Sequence, residues 1–568
     1  MPEQSEITEK QIETNEGVAR ATGILALGNI ASRVLGLARE IVLTNLFGAS
    51  AAVDAFKVAI LVPKSIYDLL IAGHVNGAIV PVLSEVASSK GRDELWRLVS
   101  VLLSMITVIL SGLVLLLEFG APLIVRIFGG GFDAYTQSLA VDMLRLTAPA
   151  LIFMGLFSIL SGTLYALRSF TWPAFGTAVF NAVIVIVALI FTPALEATIV
   201  SDGVNTHWTL VRPESGIIVM ASGWLLGSMA YVLLQLPGLR GAKLRLTLNW
   251  RHPALRRISL LYIPVMFSLV MDTLIIRPFS YNMASQTGEG SISYMDWATT
   301  LIQFPQGLVA TAISIAILPT LARQAALVIP HNKTGTVSQT AESDENEQAF
   351  KDTLGLGLRL ATTLILPATV GLFVMATPIV ALLFEHGAFT AADTEITVQV
   401  LRLYLIGLPF AALDLLLVYA FYARQDTLTP ALVGLFSLTI YMMVAVALMP
   451  RYGLFSLMIA DSIKHVVHAT ISAYLLRRHL HGFGQQKLII TAVKSSLAVS
   501  GMGVVTWMLL PVLADVVGTG GTLHELLLVV LCAGISGGVF MALAVGLKIS
   551  EWSWISGMMA QRLGLKTK

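Results

Sequence analysis

Fourteen stretches of this chain, centred near residues 33, 68, 108, 152, 183, 226, 270, 307, 368, 408, 439, 465, 500 and 535, are each apolar over about 20 residues, the length a helix needs to cross a bilayer. With no water in the hydrocarbon core, a spanning backbone must bond to itself, and runs this long do so as helices. Only 12% of the 568 residues are charged, where a soluble domain carries about 25%. The mean hydropathy is +0.80. The expected fold is therefore an all-α polytopic membrane protein of about 14 transmembrane helices. The single cysteine, Cys532, lies in a late apolar segment, which excludes intrachain disulfides and cysteine-rich zinc sites and leaves packing as its expected role.

The cations orient these helices. Residues 1–20 are polar and mixed in charge, unlike a signal peptide, and read as a cytosolic arm. With that end inside, Lys90, Arg92, Arg97, Arg168, Arg323, Lys351, Arg424, Arg477, Arg478, Lys487 and Lys548 all fall in turns on the same side. The other side holds little beyond Arg126, Arg212 and Arg451. This positive-inside bias predicts that both termini are cytoplasmic. The net charge of +2 names no partner. The basic run at 240–257 suits a solvated linker facing anionic lipid, and no nucleic acid is expected.

An internal repeat divides the chain. Ala121-Pro122 through Phe128, Leu144-Arg145-Leu146 and Tyr165-Ala166 through Pro173-Ala174 recur as Thr377-Pro378 through Phe384, Leu401-Arg402-Leu403 and Tyr422-Ala423 through Pro430-Ala431, at an offset of 256 or 257. Ile79-Val80-Pro81-Val82-Leu83 answers Ile317-Leu318-Pro319-Thr320-Leu321 at 238, and a polar insert at 330–351 absorbs the difference. The organisation expected is an arm at 1–20, a six-helix N-lobe at 21–240, a basic linker at 241–256, a six-helix C-lobe at 257–480, two appended helices at 481–550 and a cytosolic tail at 551–568. Each lobe begins and ends inside, so the repeat is parallel, as in transporters that rock about a central site.

Charges inside these helices mark a pathway, because an intramembrane ionisable group costs about 2.5–3.5 kcal/mol on insertion scales. Residues 32–85 hold the densest set. At 100° per residue, Asp54, Lys57, Lys64 and Asp68 fall within about 80° of one helix face, subject to a kink at Pro63. Arg33, Gly36 and Glu40 share a face of the first helix, with Arg39 about 120° away. Two readings are open: a hydrated site for an anionic head group, or structural ion pairs and membrane-end anchors. Asp272, deep in the seventh helix, either binds a coupling cation or pairs locally, with Asp296 as a further coupling candidate. Asp461, Lys464, His465 and His468 share a face of the twelfth helix, as a polar seam or a proton relay. An embedded lysine and the lack of further ligands argue against a metal there. No catalytic motif or resident cofactor is expected.

Ser32-Arg33-Val34-Leu35-Gly36, Arg39-Glu40, Leu46-Phe47-Gly48-Ala49, Asp54-Ala55-Phe56, Pro63 and Pro81 resemble the opening of the MurJ/MviN lipid II flippases of the MOP superfamily. Phe304-Pro305-Gln306-Gly307, Leu318-Pro319 and the run from Tyr422 through Pro430 are similar to the same family. The resemblance implies alternating-access export of an undecaprenyl-pyrophosphate-linked peptidoglycan precursor across the bacterial inner membrane. It implies arginines in a central cavity that meet the pyrophosphate, with Arg33 and Arg39 at the matching positions. It further implies a lipid-tail groove on helices 13 and 14, and a Na⁺ gradient, H⁺ gradient or membrane potential as driving force. A monomer among membrane lipids is expected. The chain departs from the pattern twice: Tyr67-Asp68 stand where an arginine pair is usual, and Thr300 stands where a helix-8 arginine is expected, with Lys57 and Lys64 as substitutes. The alternatives are a flippase for another polyprenyl-linked oligosaccharide and a MATE-like cation-coupled exporter.

Overall fold

The computed structural model describes residues 2–68, 79–194, 196–201, 206–211, 213–245, 247, 249–250, 275–328, 341–480, 482, 486–518 and 521–552. They form two compact units. Unit 1 comprises 1–293 with 387–389, and unit 2 comprises 294–386 with 390–568.

Unit 1 opens with α1 (Pro2–Phe47), whose helical backbone runs unbroken from the polar arm into the first apolar stretch. It continues with α2 (Ala51–Tyr67), α3 (Val80–Ser89), α4 (Arg92–Phe128), α5 (Ala134–Thr147), α6 (Ala150–Ala166), α7 (Gly176–Phe191), α8 (Ile218–Leu233) and α9 (Arg277–Ser285). Pro149 supplies the break between α5 and α6, since it cannot donate within a helix. The strands β1 (Glu196–Ser201) and β2 (Thr206–Val211) form an antiparallel hairpin, the one exception to helix among the regular elements described. Their Thr, Val, Ile and Trp content favours extended backbone. Aromatic rings fill the core: Trp224 meets Phe56 and Phe180 edge-on, and Phe157 stacks on Tyr231.

Unit 2 holds α10 (Ser291–Pro305), whose first turn falls in unit 1, then α11 (Ala312–Val328), α12 (Ala341–Val374), α13 (Ala376–Phe384), α14 (Ala391–Ala423), α15 (Leu428–Tyr452) and α16 (Phe455–His479). Its core centres on Phe350, Leu354, Leu416 and Phe421. The appended helices α17 (Leu488–Val517) and α18 (Thr522–Gly546) pack through Ala498, Val499, Met502, Phe540 and Ala544 against Leu366 and Val370 of α12. The outer faces of both carry exposed Ile489, Trp507, Val516 and Val530, as helices in lipid do.

The repeat read from sequence recurs in backbone detail within each unit. Arg168 and Gln425, 257 residues apart, both take left-handed backbone at φ 59° and 61°. The amides after them, on Ser169 and Asp426, donate to Leu164 O and Phe421 O. Arg145 Nε donates to Glu118 O at 3.2 Å, and Arg402 Nε to Phe373 O at 3.1 Å. Asp133 caps α5 and Thr390 caps α14, again 257 apart. The sequence places the lobe boundary at the 241–256 linker, whereas the contact boundary lies between Ser293 and Tyr294. The reason is local: Asn282 Nδ2 donates to Ile127 O at 2.9 Å and Gly131 N to Ser285 Oγ at 3.0 Å, which binds α9 to the end of α4.

Among the described residues, nine helical stretches are long and apolar enough to cross a membrane, and Gly176–Phe191 is a shorter apolar helix. α1, α2 and α16 are absent from that set. They carry Arg33, Arg39, Glu40, Asp54, Lys57, Lys64, Asp461, Lys464, His465 and His468, whereas Asp296 lies on α10. The stretch near residue 270 lies outside the described residues.

Candidate functional site

The first polar cluster is built where α1 and α2 are joined by a turn at Gly48, whose φ of +59° suits glycine. Glu40 and Lys57 are almost fully buried, with side-chain exposures of 5% and 3%. A lysine so enclosed is tolerated only when paired. Lys57 Nζ donates to Glu40 Oε2 at 2.6 Å. Arg39 Nη2 donates to the other oxygen, Oε1, at 2.6 Å, and its Nε lies 3.3 Å from the same atom. Arg39 Nη1 reaches Asn181 Oδ1 on α7 at 3.0 Å, and its guanidinium carbon stands 5.4 Å from the Trp224 ring on α8. Asn181 is fixed in turn by donating to Ser32 O at 3.4 Å. Two cations thus share one carboxylate, and the trio carries one net positive charge. Arg39 keeps a partly exposed guanidinium, oriented on three sides by fixed neighbours. Arg33, on the same helix, is exposed.

The face expected to unite Asp54, Lys57, Lys64 and Asp68 is divided among three sets of partners. Lys57 goes to Glu40. Asp54, 1% exposed, accepts from Ser293 N at 2.8 Å, Ser293 Oγ at 2.5 Å and Ile292 N at 3.4 Å. It therefore caps the first turn of α10, where unpaired amides and the helix dipole favour a carboxylate. Lys64 and Asp68 pair with each other at 3.1 Å and are 46% and 32% exposed. Helical spacing gives angular position only. Which partner each charge meets is a separate matter, and for Asp54 the partner lies 239 positions away.

Asp272 lies outside the described residues. Asp296, on α10, is half-buried, and its carbonyl accepts from the hydroxyls of Thr299 and Thr300 at 2.8 and 2.9 Å. The position where the resemblance leads one to expect arginine is thus occupied by a side chain that bonds back to its own helix.

In unit 2, Asp461, Lys464, His465 and His468 do share one face of α16. Lys464 Nζ is paired with Asp461 Oδ1, and His465 Nε2 lies 3.6 Å from Asp461 Oδ2. His468 Nδ1 is hydrogen-bonded to Asp414 Oδ1 on α14. Among the described residues no group of three or more His, Cys, Asp or Glu is arranged to hold a metal. Sequence reasoning missed Asp414, Asn181 and Trp224. The first two had a usable signal, a lone polar residue in an apolar helix. Trp224 had none, since its role depends on the neighbour brought to it by folding.

The comparisons with known proteins agree with the motifs. The family model described as "Lipid II flippase MurJ" matches residues 43–527. A relative named "Lipid II flippase MurJ" from Burkholderia cenocepacia is 30% identical over 71% of this chain and 73% of its own length. "Probable lipid II flippase MurJ" from Vibrio cholerae is 31% identical over 81% and 82%. Among solved structures, one titled "Lipid II flippase MurJ, inward closed conformation" superposes with a TM-score of 0.67 at 23% identity, covering 92% of this chain and 99% of that one. An inward-facing multidrug resistance MATE transporter of the MOP superfamily gives 0.59 at 15% identity, over 79% and 94%. The structural likenesses show a shared fold, and the match over 43–527 goes further: the chain belongs to the lipid II flippase MurJ family.

Proposed function

We propose that this protein moves lipid II, an undecaprenyl-pyrophosphate-linked peptidoglycan precursor, from the inner to the outer leaflet of the bacterial cytoplasmic membrane by alternating access. It is a transporter and not an enzyme. Arg33 and Arg39 meet the pyrophosphate, Lys57 adds to the local positive potential, and α17 and α18 accommodate the lipid tail. Both termini lie in the cytoplasm, and the protein acts as a monomer.

The observation that carries this reading is the Arg39–Glu40–Lys57 trio, two cations on one buried carboxylate inside an apolar helical unit. A pyrophosphate offers acceptor oxygens that match a guanidinium fork. Glu40 keeps the empty site from carrying two uncompensated cations. Complementation of a strain depleted of its own lipid II flippase tests the reading directly. Rescue by the wild-type chain, lost with Arg39→Ala at equal protein level, is the expected result. Failure of the wild type to rescue counts against lipid II as substrate.

A second substrate, another polyprenyl-linked oligosaccharide, is favoured by one specific arrangement. Asp68 occupies a position where arginine is usual and is paired with Lys64. A reconstituted flux assay with lipid II and with a sugar-only polyprenyl pyrophosphate separates the two.

A further inference from the structure

A further cation reaches α2 from α9. Arg277, half-buried at the start of α9, holds its Nη1 3.5 Å from Ser65 Oγ on α2, and Ser65 itself is 2% exposed. Ser285, at the other end of α9, accepts from Gly131 N just past the end of α4. Arg277 lies eight residues back from Ser285, about 12 Å along a helix, so its charge falls at membrane depth. An arginine there is costly and marks a binding site or a pathway.

Ser65 stands between Lys64 and Asp68 in the chain, so Arg277 joins the pair those two residues make at 3.1 Å. Unlike Lys57 and Glu40, which enclose each other, Lys64 and Asp68 keep open faces. The set is also separate from the Arg39–Glu40–Lys57 trio. Ser65 lies eight residues beyond Lys57, about 12 Å along α2. One pyrophosphate, only two phosphorus atoms wide, does not bridge that distance, whereas a sugar ring fits between the two sets. The hydroxyls and amides of a sugar are neutral, and they offset little of the cost of holding a guanidinium, an ammonium and a carboxylate in an apolar unit. A ligand with charges of both signs offsets much more.

The peptide stem of a peptidoglycan precursor is such a ligand, with free carboxylates along it and an ammonium on its diamino acid. We propose that Lys64, Asp68 and Arg277 form a second subsite, which takes the stem while Arg39 and its neighbours hold the pyrophosphate. A stem carboxylate lies on the guanidinium of Arg277, whose parallel N–H donors match its two oxygens. The stem ammonium takes the place of Lys64 on Asp68, which frees Lys64 for a second carboxylate. The carboxylate at position 68, where the resemblance leads one to expect arginine, thereby has a task of its own: it reads the cation of the stem. The proposal rests on the lipid II reading above and narrows it, because a lipid that carries only sugars has nothing for Arg277 or Asp68 to recognise.

The test measures equilibrium binding to the full chain in detergent with four probes: lysine-type lipid II, the same lipid with its side-chain amine acetylated, the same lipid with its stem carboxylates amidated, and a sugar-only undecaprenyl pyrophosphate. Blocking the ammonium or the carboxylates is expected to weaken wild-type binding about tenfold, the worth of one charge-assisted contact. The penalty for acetylation should shrink to about twofold or less in Asp68→Asn, and the penalty for amidation likewise in Arg277→Gln. Arg277→Lys, which keeps the charge and loses the fork, should retain part of it. The comparison of probes on the wild-type chain needs no substitution and stands even where a variant folds poorly. Equal wild-type affinity for all four lipids overturns the subsite, and so does a pair of variants that weaken the four alike, the mark of a structural role. Arg39→Ala separates this from the reading beneath it. If that change weakens every probe while the wild type ignores the stem, pyrophosphate binding stands and the subsite falls. Wild-type protein that binds none of the four overturns both.

Discussion

The two positive charges on Glu40 do different work, and single substitutions separate them. Removing the carboxylate takes away the Glu40 oxygen 2.6 Å from the Nζ of a lysine that is 3% exposed, so Glu40→Gln is expected to cost about 3–5 kcal/mol. A large drop in thermal midpoint in detergent is the readout, and pairing the change with Lys57→Met should recover most of it. If Glu40→Gln melts like wild type, Lys57 has water or another acceptor to turn to. Arg39→Lys probes function instead. It keeps the charge but loses the fork shared between Glu40 and Asn181, so flux should fall while stability is nearly retained. At the membrane edge, Asp133 is held below the usual carboxylate range, first by the Thr136 hydroxyl and then by the amides of Tyr135 and Thr136. Because the folded value is depressed, its contribution to stability is complete above the unfolded value and is lost as pH falls through the folded one. Fraying of α5 in acid, measured by amide exchange, should therefore be present in the wild type and have no such pH dependence in Asp133→Asn.

Among the elements, two of the helices that carry charge look least like membrane helices: α2 is only 17 residues long, and α16 holds Asp461, Lys464, His465 and His468 within its apolar run. Local chemistry was legible: the span positions, the repeat, the i, i+3, i+4, i+7 seam on α16 and the charged stripe on α2 all follow from spacing. Pairing was not. Asp54 finds its amides on α10, and His468 finds Asp414 on α14, at separations that no helical period encodes. Close approach was equally hidden. A Cβ on Gly407 would lie 2.8 Å from the Ser462 Cα, a backbone atom that cannot move aside alone. Gly407→Ala is therefore expected to spread α14 from α16 and destabilise unit 2, by about 1–3 kcal/mol if it behaves as an overpacked core. An unaltered melting profile would show that the crossing has slack.

For the molecule as a whole, α17 and α18 have no counterpart in the repeat and must be held by contacts of their own. One is polar and partly buried: Arg359 Nε donates to Glu551 Oε1 at 2.5 Å, and Arg359 Nη1 to Gln486 O at 2.6 Å, linking α12 to the residues before α17 and after α18. Arg359→Ala should raise amide exchange around 486–490 and 547–552 without unfolding the rest of unit 2, and uniform exchange across the unit would contradict a local clamp. The Asp54 cap has a consequence of another kind, which concerns the order of synthesis. Glu40 and Lys57 emerge from the ribosome 17 residues apart, but Asp54 and Ser293 are separated by 239. At about 5–20 residues per second, Asp54 waits roughly 10–50 s for the helix end that satisfies it. Throughout that interval α2 holds a carboxylate with its final donors not yet made. Nascent chains halted before residue 291 should expose α2 to membrane quality-control proteases, and chains that have passed α10 should not.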